Sequence, residues 1–151
     1  MKKDTFVTAS LVGFGSTALE IIFSLVLKHT GLIKTPLYEF VGKLSVGEIS
    51  AKPWMIALIG IPGHIFNGII FAFVFILILQ KWGRDYLYLK GLGYGAFLWL
   101  IHEVIIPNII TTDITLKISA ASQPWHFLDG LVWGISSAFI YKYLQKKRVL
   151  G

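Results

Sequence analysis

Cysteine is absent from all 151 residues. That removes disulfides, thiolate metal sites, iron–sulfur clusters and covalently attached haem. Charge is scarce as well: 15% of residues are Asp, Glu, Lys or Arg, against ~25% in a soluble domain. Acids are the rarer sign, eight against fourteen Lys and Arg. What takes the place of charge is apolar, with 55% of residues hydrophobic and a mean hydropathy of +0.70.

The apolar residues are not scattered. They gather into four stretches, about 6–27, 55–79, 91–110 and 122–143, each near the ~20 residues that cross a bilayer core as a helix. The composition and spacing predict an all-α integral membrane protein: residues 1–151 as one compact transmembrane four-helix bundle. Lys2 and Lys3 give the first stretch the look of a secretory leader. It is longer than a leader's apolar core and carries Ser16, Thr17 and Glu20, so it is expected to stay as a helix.

Charge placement predicts the topology. If the four helices alternate, Lys2, Lys3, Lys81, Arg84, Lys90, Lys142, Lys146, Lys147 and Arg148 share one side, and Lys28, Lys34, Lys43, Lys52 and Lys117 the other. The excess of Lys and Arg marks the cytoplasmic side, so both termini are expected there. The basic cluster Lys146-Lys147-Arg148 then serves as a topology and anionic-lipid anchor, and a nucleic-acid partner is not expected. Between the first two stretches, Leu37, Phe40, Val41 and Leu44 fall on one face behind Pro36, which predicts a short interfacial helix. Trp54, Trp82 and Trp125 sit at expected helix ends, as interfacial anchors do. Small residues in the first helix (Ala9, Gly13, Ser16, Thr17) and the pairs Gly91/Gly95 and Gly130/Gly134 predict close helix packing.

One short pattern occurs twice. Gly63-His64-Ile65-Phe66-Asn67-Gly68-Ile69-Ile70-Phe71-Ala72 and Trp125-His126-Phe127-Leu128-Asp129-Gly130-Leu131-Val132-Trp133-Gly134 both run His, two apolar residues, Asn or Asp, Gly, two apolar residues, an aromatic and a small residue. Pro53-Trp54 precedes the first copy and Pro124-Trp125 the second, and Gly13-Phe14-Gly15 has a counterpart in Gly93-Tyr94-Gly95. Two parallel-repeat helical hairpins are expected, related by an axis along the membrane normal.

Ionisable groups inside such helices are costly and face the bundle interior. Counted from the outer ends at ~1.5 Å per residue, Glu20, His64, His102, Glu103, His126 and Asp129 fall in roughly one layer, with Asn67 one turn from His64. The carbonyl that Pro107 leaves without an intrahelical donor, that of Glu103, adds an acceptor there. Three readings fit this layer. In the first, His64, His102 and His126 hold a transition metal, zinc or iron. Glu20 and Asn67 then contact a small ligand or ion, and Glu103 and Asp129 act as acid and base. Haem is disfavoured by the small packing residues. In the second, the groups relay protons or ions. In the third, the network only fixes helix packing. A serine hydrolase is not expected, because Ser16, Ser24, Ser119 and Ser122 lack a nucleophile elbow. Whether the protein is an enzyme is left open, as is a homo-oligomer.

Lys90-Gly91-Leu92-Gly93-Tyr94-Gly95-Ala96-Phe97-Leu98-Trp99-Leu100, with Pro107 and four helical stretches, resembles the YqhR/YagU-like small bacterial inner-membrane proteins. The resemblance implies the four-helix layout and a bacterial cytoplasmic membrane, multi-pass, and brings no activity or site residue with it.

Overall fold

The computed structural model describes residues 4–46, 51–106, 109 and 119–149. Among these the chain forms five α-helices and one π-helical turn, and no strand. Helix α1 spans Thr5–His29, α2 Leu37–Val46, α3 Pro53–Trp82 and α4 Leu87–Trp99; α4 runs on as the π-turn Leu100–Ile105, and α5 spans Gln123–Val149. The long helices begin and end within a few residues of the apolar stretches. The expected end of the third stretch near residue 110, with Pro107, Asp113 and Lys117, lies outside the described residues.

Local chemistry accounts for the helix ends. The Asp4 side chain accepts from the Val7 N–H at 3.0 Å and starts α1. Pro53 stands in the first turn of α3, where a missing N–H costs nothing. Helix α3 stops at Gly83, whose φ of 80° suits glycine. Lys90 then closes the turn, its Nζ donating to the Trp82 and Gly83 carbonyls at 3.0 and 3.1 Å, so a cation neutralises the carbonyl end of α3. Asp85 joins this cap. Its own backbone N–H, and then Lys90, hold its carboxyl below the usual carboxylate range.

Helices α1 and α3 are long and apolar enough to cross a membrane. The other two fall short of that measure for visible reasons. The α-helical part of α4 is 13 residues before the π-turn, and α5 mixes Gln123, His126 and Asp129 with a basic end.

The packing is sequential rather than closed. Helix α1 packs along α3, α4 along α5, and α1 against α5, while α3 and α4 barely meet. Helix α2 lies along the first half of α3, running antiparallel to it: a Cβ on Gly42 would strike the Ile56 carbonyl, and one on Gly60 the Tyr38 carbonyl. An ion pair from Lys28 to Glu39 ties α2 to the end of α1.

Polarity is segregated along the bundle. At the end that carries both chain termini, Ala9, Val12, Phe75, Ile76, Leu79, Tyr94, Ala138 and Tyr141 form a dry core, with Phe75 stacked on Tyr94 at 5.3 Å. The buried acids and histidines lie towards the other end. The outside is apolar: Phe14, Ile22, Leu58, Phe66, Phe97 and Phe139 are all more than half exposed.

Glycine sets the interhelical distances. A Cβ on Gly13 would fall 2.6 Å from the Gly68 carbonyl oxygen, and one on Gly130 2.9 Å from that of Gly95. Gly91 meets Gly134 in the same way, at 2.6 Å. The packing differs in one respect from the pairing of Gly13-Phe14-Gly15 with Gly93-Tyr94-Gly95. Gly93 is exposed with nothing within 4 Å of its Cβ position, and the counterpart of Gly13 in the contact is Gly95. Gly95→Ala is therefore expected to destabilise the detergent-solubilised protein by about 1–3 kcal/mol through overpacking. Gly93→Ala should stabilise it by roughly 0.5–1 kcal/mol through helix propensity alone. Denaturant unfolding of the two variants checks the pair, and equal effects would contradict this packing register.

Candidate functional site

The glycine contacts fix where the polar side chains meet. Glu20 lies seven residues beyond Gly13 on α1, two turns on and on the same face. Glu103 lies eight beyond Gly95, one too many for a regular helix. The π-turn takes up the extra residue. Glu103 is thereby buried, at 6% exposure, while His102 is half-buried with its ring edge-on to Phe71 at 4.9 Å.

All seven residues singled out in the sequence line one cavity of about 50 Å³: Glu20, His64, Asn67, His102, Glu103, His126 and Asp129. They come from α1, α3, the π-turn and α5. A volume of this size holds a few waters or one small polar group. Sequence reasoning missed the aromatic wall. Phe71 and Trp133 are the aromatic residues of the two pattern copies, and both line the cavity, with Trp99 between them in the chain. Their place in the repeated pattern was the available clue.

Inside the cavity the two His–Glu pairs are unequal. His64 Nε2 and Glu20 Oε2 are 2.6 Å apart, a full hydrogen bond between buried side chains. His126 Nδ1 and Glu103 Oε1 are 3.5 Å apart and make no hydrogen bond. Glu20 and Asp129 line the same cavity from α1 and α5. The Trp133 indole N–H donates to Thr17 Oγ1 at 3.0 Å one turn further in.

Most buried polar groups elsewhere are satisfied. Ser16 donates to the Val12 carbonyl, Ser24 to that of Ile21, and the Tyr94 hydroxyl to that of Phe71. Among the described residues, six buried side-chain atoms lack a hydrogen-bond partner: Gln123 Oε1 and Ser137 Oγ do not line the cavity, and the other four are Glu103 Oε2, His126 Nδ1, Asp129 Oδ1 and Trp99 Nε1. All four belong to residues that line the cavity, and all four lie on the side formed by α4, the π-turn and α5. An unpaired buried polar group costs ~1–3 kcal/mol.

Among the described residues, no three His, Asp or Glu side chains come together in a way that would hold a metal ion. The Glu20 contact takes Nε2 of His64, which leaves Nδ1 as the nitrogen a metal could use. Comparison with family models, characterised proteins and solved structures finds no match to this chain.

The unequal pairs predict unequal mutational costs. Glu20→Met strands His64 and is expected to destabilise by about 2 kcal/mol. Glu103→Met removes an orphaned oxygen and should lie within about 1 kcal/mol of the wild type. Unfolding in one detergent measures both. If Glu103→Met costs as much as Glu20→Met, the cluster acts as a packing network and not as a binding site.

Proposed function

We propose that this chain is a multi-pass protein of a bacterial cytoplasmic membrane. In this reading α1, α3, α4 with its π-turn, and α5 all cross the membrane, both termini are cytoplasmic, and α2 sits at the outer interface. Support comes from the apolar collar on all four helices, from the nine basic residues on the terminal side against five on the other, and from the resemblance to the YqhR/YagU-like proteins. The two hairpins, α1 with α3 and α4 with α5, are read as copies of one unit. Gly13 and Gly95, Gly68 and Gly130, His64 and His126, and Glu20 and Glu103 stand in equivalent places.

The topology has a direct test, because a chain without cysteine can carry single reporters. Lys34→Cys and Ala120→Cys should react with an impermeant maleimide added outside spheroplasts. Arg84→Cys and Lys146→Cys should react only after lysis. Any other pattern removes the four-span reading.

The function proposed for the polar layer is binding of a small polar ligand in the outer half of the bundle, with Glu103, His126 and Asp129 as its contacts. One observation carries this: of the six buried side-chain polar atoms without a partner among the described residues, four lie on one wall of this cavity. Glu20 and His64 form the settled wall, Asn67 the position where the second copy has Asp129, and His102 the mouth. Catalysis would need only that Glu103 or Asp129 exchange a proton with the bound group. A transition metal, zinc or iron, is the second occupant the residue types suit. It could take His64 through Nδ1 with Glu20 retained on Nε2, and haem has no comparable space.

Mass spectrometry of small molecules and metals released from purified protein decides between these. A species bound at about one per chain and lost in Glu103→Met, with zinc and iron absent, supports the ligand reading. Stoichiometric metal lost in His126→Ala supports the metal. An empty protein in both analyses, with both variants folded, leaves only packing as a role for the layer.

A further inference from the structure

A second cavity adjoins the polar one. It has a volume of about 300 Å³ and lies between α2, α3 and the π-turn. Its α2 wall is Leu37, Phe40, Val41 and Leu44, the apolar face expected from the sequence. Its inner end is shared with the polar cavity through Leu37, His64, Asn67, Phe71 and His102. The two spaces therefore meet at the His102–Phe71 ring contact. Because α3 and α4 barely touch, this cavity lies, among the described residues, at a loosely packed seam of the bundle. Lipid-facing side chains flank it, with Phe66 and Ile70 on α3 and Ile105 on the π-turn exposed.

We propose that the occupant is an amphiphile: a single-chain membrane lipid with a small, uncharged hydroxyl head. The head occupies the polar cavity and the chain lies beneath α2. This rests on the polar-ligand reading and names the ligand's class. Three observations select that chemistry. The first is size. About 50 Å³ admits a head of a few atoms and excludes a glycerophosphate or sugar, while about 300 Å³ is at the low end for a ligand pocket and suits one chain.

The second is charge. Neither cavity has a Lys or Arg in its wall, whereas Glu20, Glu103 and Asp129 line the inner one. A phosphate or carboxylate head would meet acids and no cation, so anionic lipids are excluded. The third is hydrogen-bond sense. Glu103 Oε2 and Asp129 Oδ1 accept, and His126 Nδ1 donates or accepts according to its tautomer. A hydroxyl can donate to a carboxylate and accept from the orphaned Trp99 indole N–H, which only donates, whereas an ammonium has no lone pair to accept with. No bond is made or broken in this proposal; it concerns recognition.

The test uses the full chain in phosphatidylcholine nanodiscs with three photoactivatable probes of equal chain length, each with a diazirine in the chain: a primary alcohol, the amine and the carboxylic acid. The alcohol should label peptides of α2 and of α3 around Phe71, and a 1-monoacylglycerol should compete it away. The amine and acid should label these peptides about tenfold less, the equivalent of one lost hydrogen bond.

Glu103→Met should reduce alcohol labelling about tenfold by removing a head contact. Val41→Trp and Leu44→Trp, which fill the chain cavity from α2, should reduce it similarly. Two such variants guard against one that fails to fold. If Glu103→Met abolishes labelling but neither tryptophan matters, or if short-chain butane-1,2-diol competes as well as the monoacylglycerol, the polar site stands and the amphiphile is overturned. If the amine or acid labels best, the hydroxyl head is overturned. If labelling spreads evenly over the exposed faces of α1 and α5 and ignores Glu103→Met, both readings fall together.

Discussion

Everything in this fold hangs from two places where helix backbones touch. Gly13 lies on Gly68 and Ile69, and Gly95 on Gly130, at distances that leave no room for a methyl group. In an apolar surrounding, packing and not water drives helices together, so the closest approach decides which helices pair and at what height. Once the height is set, positions two turns away are set too. Glu20 comes opposite His64, and Glu103 comes opposite His126. Were a helix pair to slide by one turn, Glu20 would lose its only imidazole partner while still buried. Breaking a buried pair costs ~3–5 kcal/mol, so the polar contact penalises the slips that glycine packing alone would tolerate.

The polar side chains of the two helix pairs are settled to different degrees. In α1 and α3 the ionisable groups close on one another, Glu20 on His64. In α4, the π-turn and α5 they stay apart. The π-turn has a part in this, because it moves Glu103 into the buried face without bringing it within hydrogen-bonding distance of His126. Such turns are short of good hydrogen-bond geometry and persist where something else needs them. A protein that leaves two carboxylate oxygens, an imidazole nitrogen and an indole N–H orphaned on one wall of a cavity breaks a local rule. Broken rules of this kind concentrate at functional positions.

How much of this could be read from the sequence depends on the length scale. Depth along a helix is nearly additive in residue number, so counting from the helix ends was enough to bring Glu20, His64, Asn67, His102, Glu103, His126 and Asp129 to one cavity. The α2 helix was legible from the spacing of Leu37, Phe40, Val41 and Leu44 behind Pro36. Rotation about a helix axis was harder to read. His102 and Glu103 are adjacent, and which of them turns inwards depends on a π-turn whose single extra residue leaves no periodic trace. The glycine register failed for the same reason. Gly93 and Gly95 look alike in sequence, yet only the contact with Gly130 picks out Gly95 as the partner of Gly13's place. That α2 runs antiparallel along α3 depends on Gly42 and Gly60 meeting the Ile56 and Tyr38 backbones, a long-range fit that no local pattern encodes.

The segregation of polarity along the bundle bears on what kind of traffic the site can support. From the polar cavity towards the end with the chain termini, the way is filled by Leu98, Tyr94, Phe75, Leu79 and Tyr141, all at or below 9% exposure. Phe75 and Tyr94 stack there, and the Tyr94 hydroxyl is fixed on the Phe71 carbonyl. An ion crossing by this route would have to part a close-packed aromatic core and break that hydrogen bond, with no carboxylate, imidazole, Lys or Arg among those residues to receive it. Sideways, the same cavity shares part of its wall with a larger space, the edge-on His102 and Phe71 rings included. Turning one half-buried ring is a smaller change than opening a core. The arrangement therefore favours entry and exit on the same side, as a binding or turnover site needs, over passage from one face to the other.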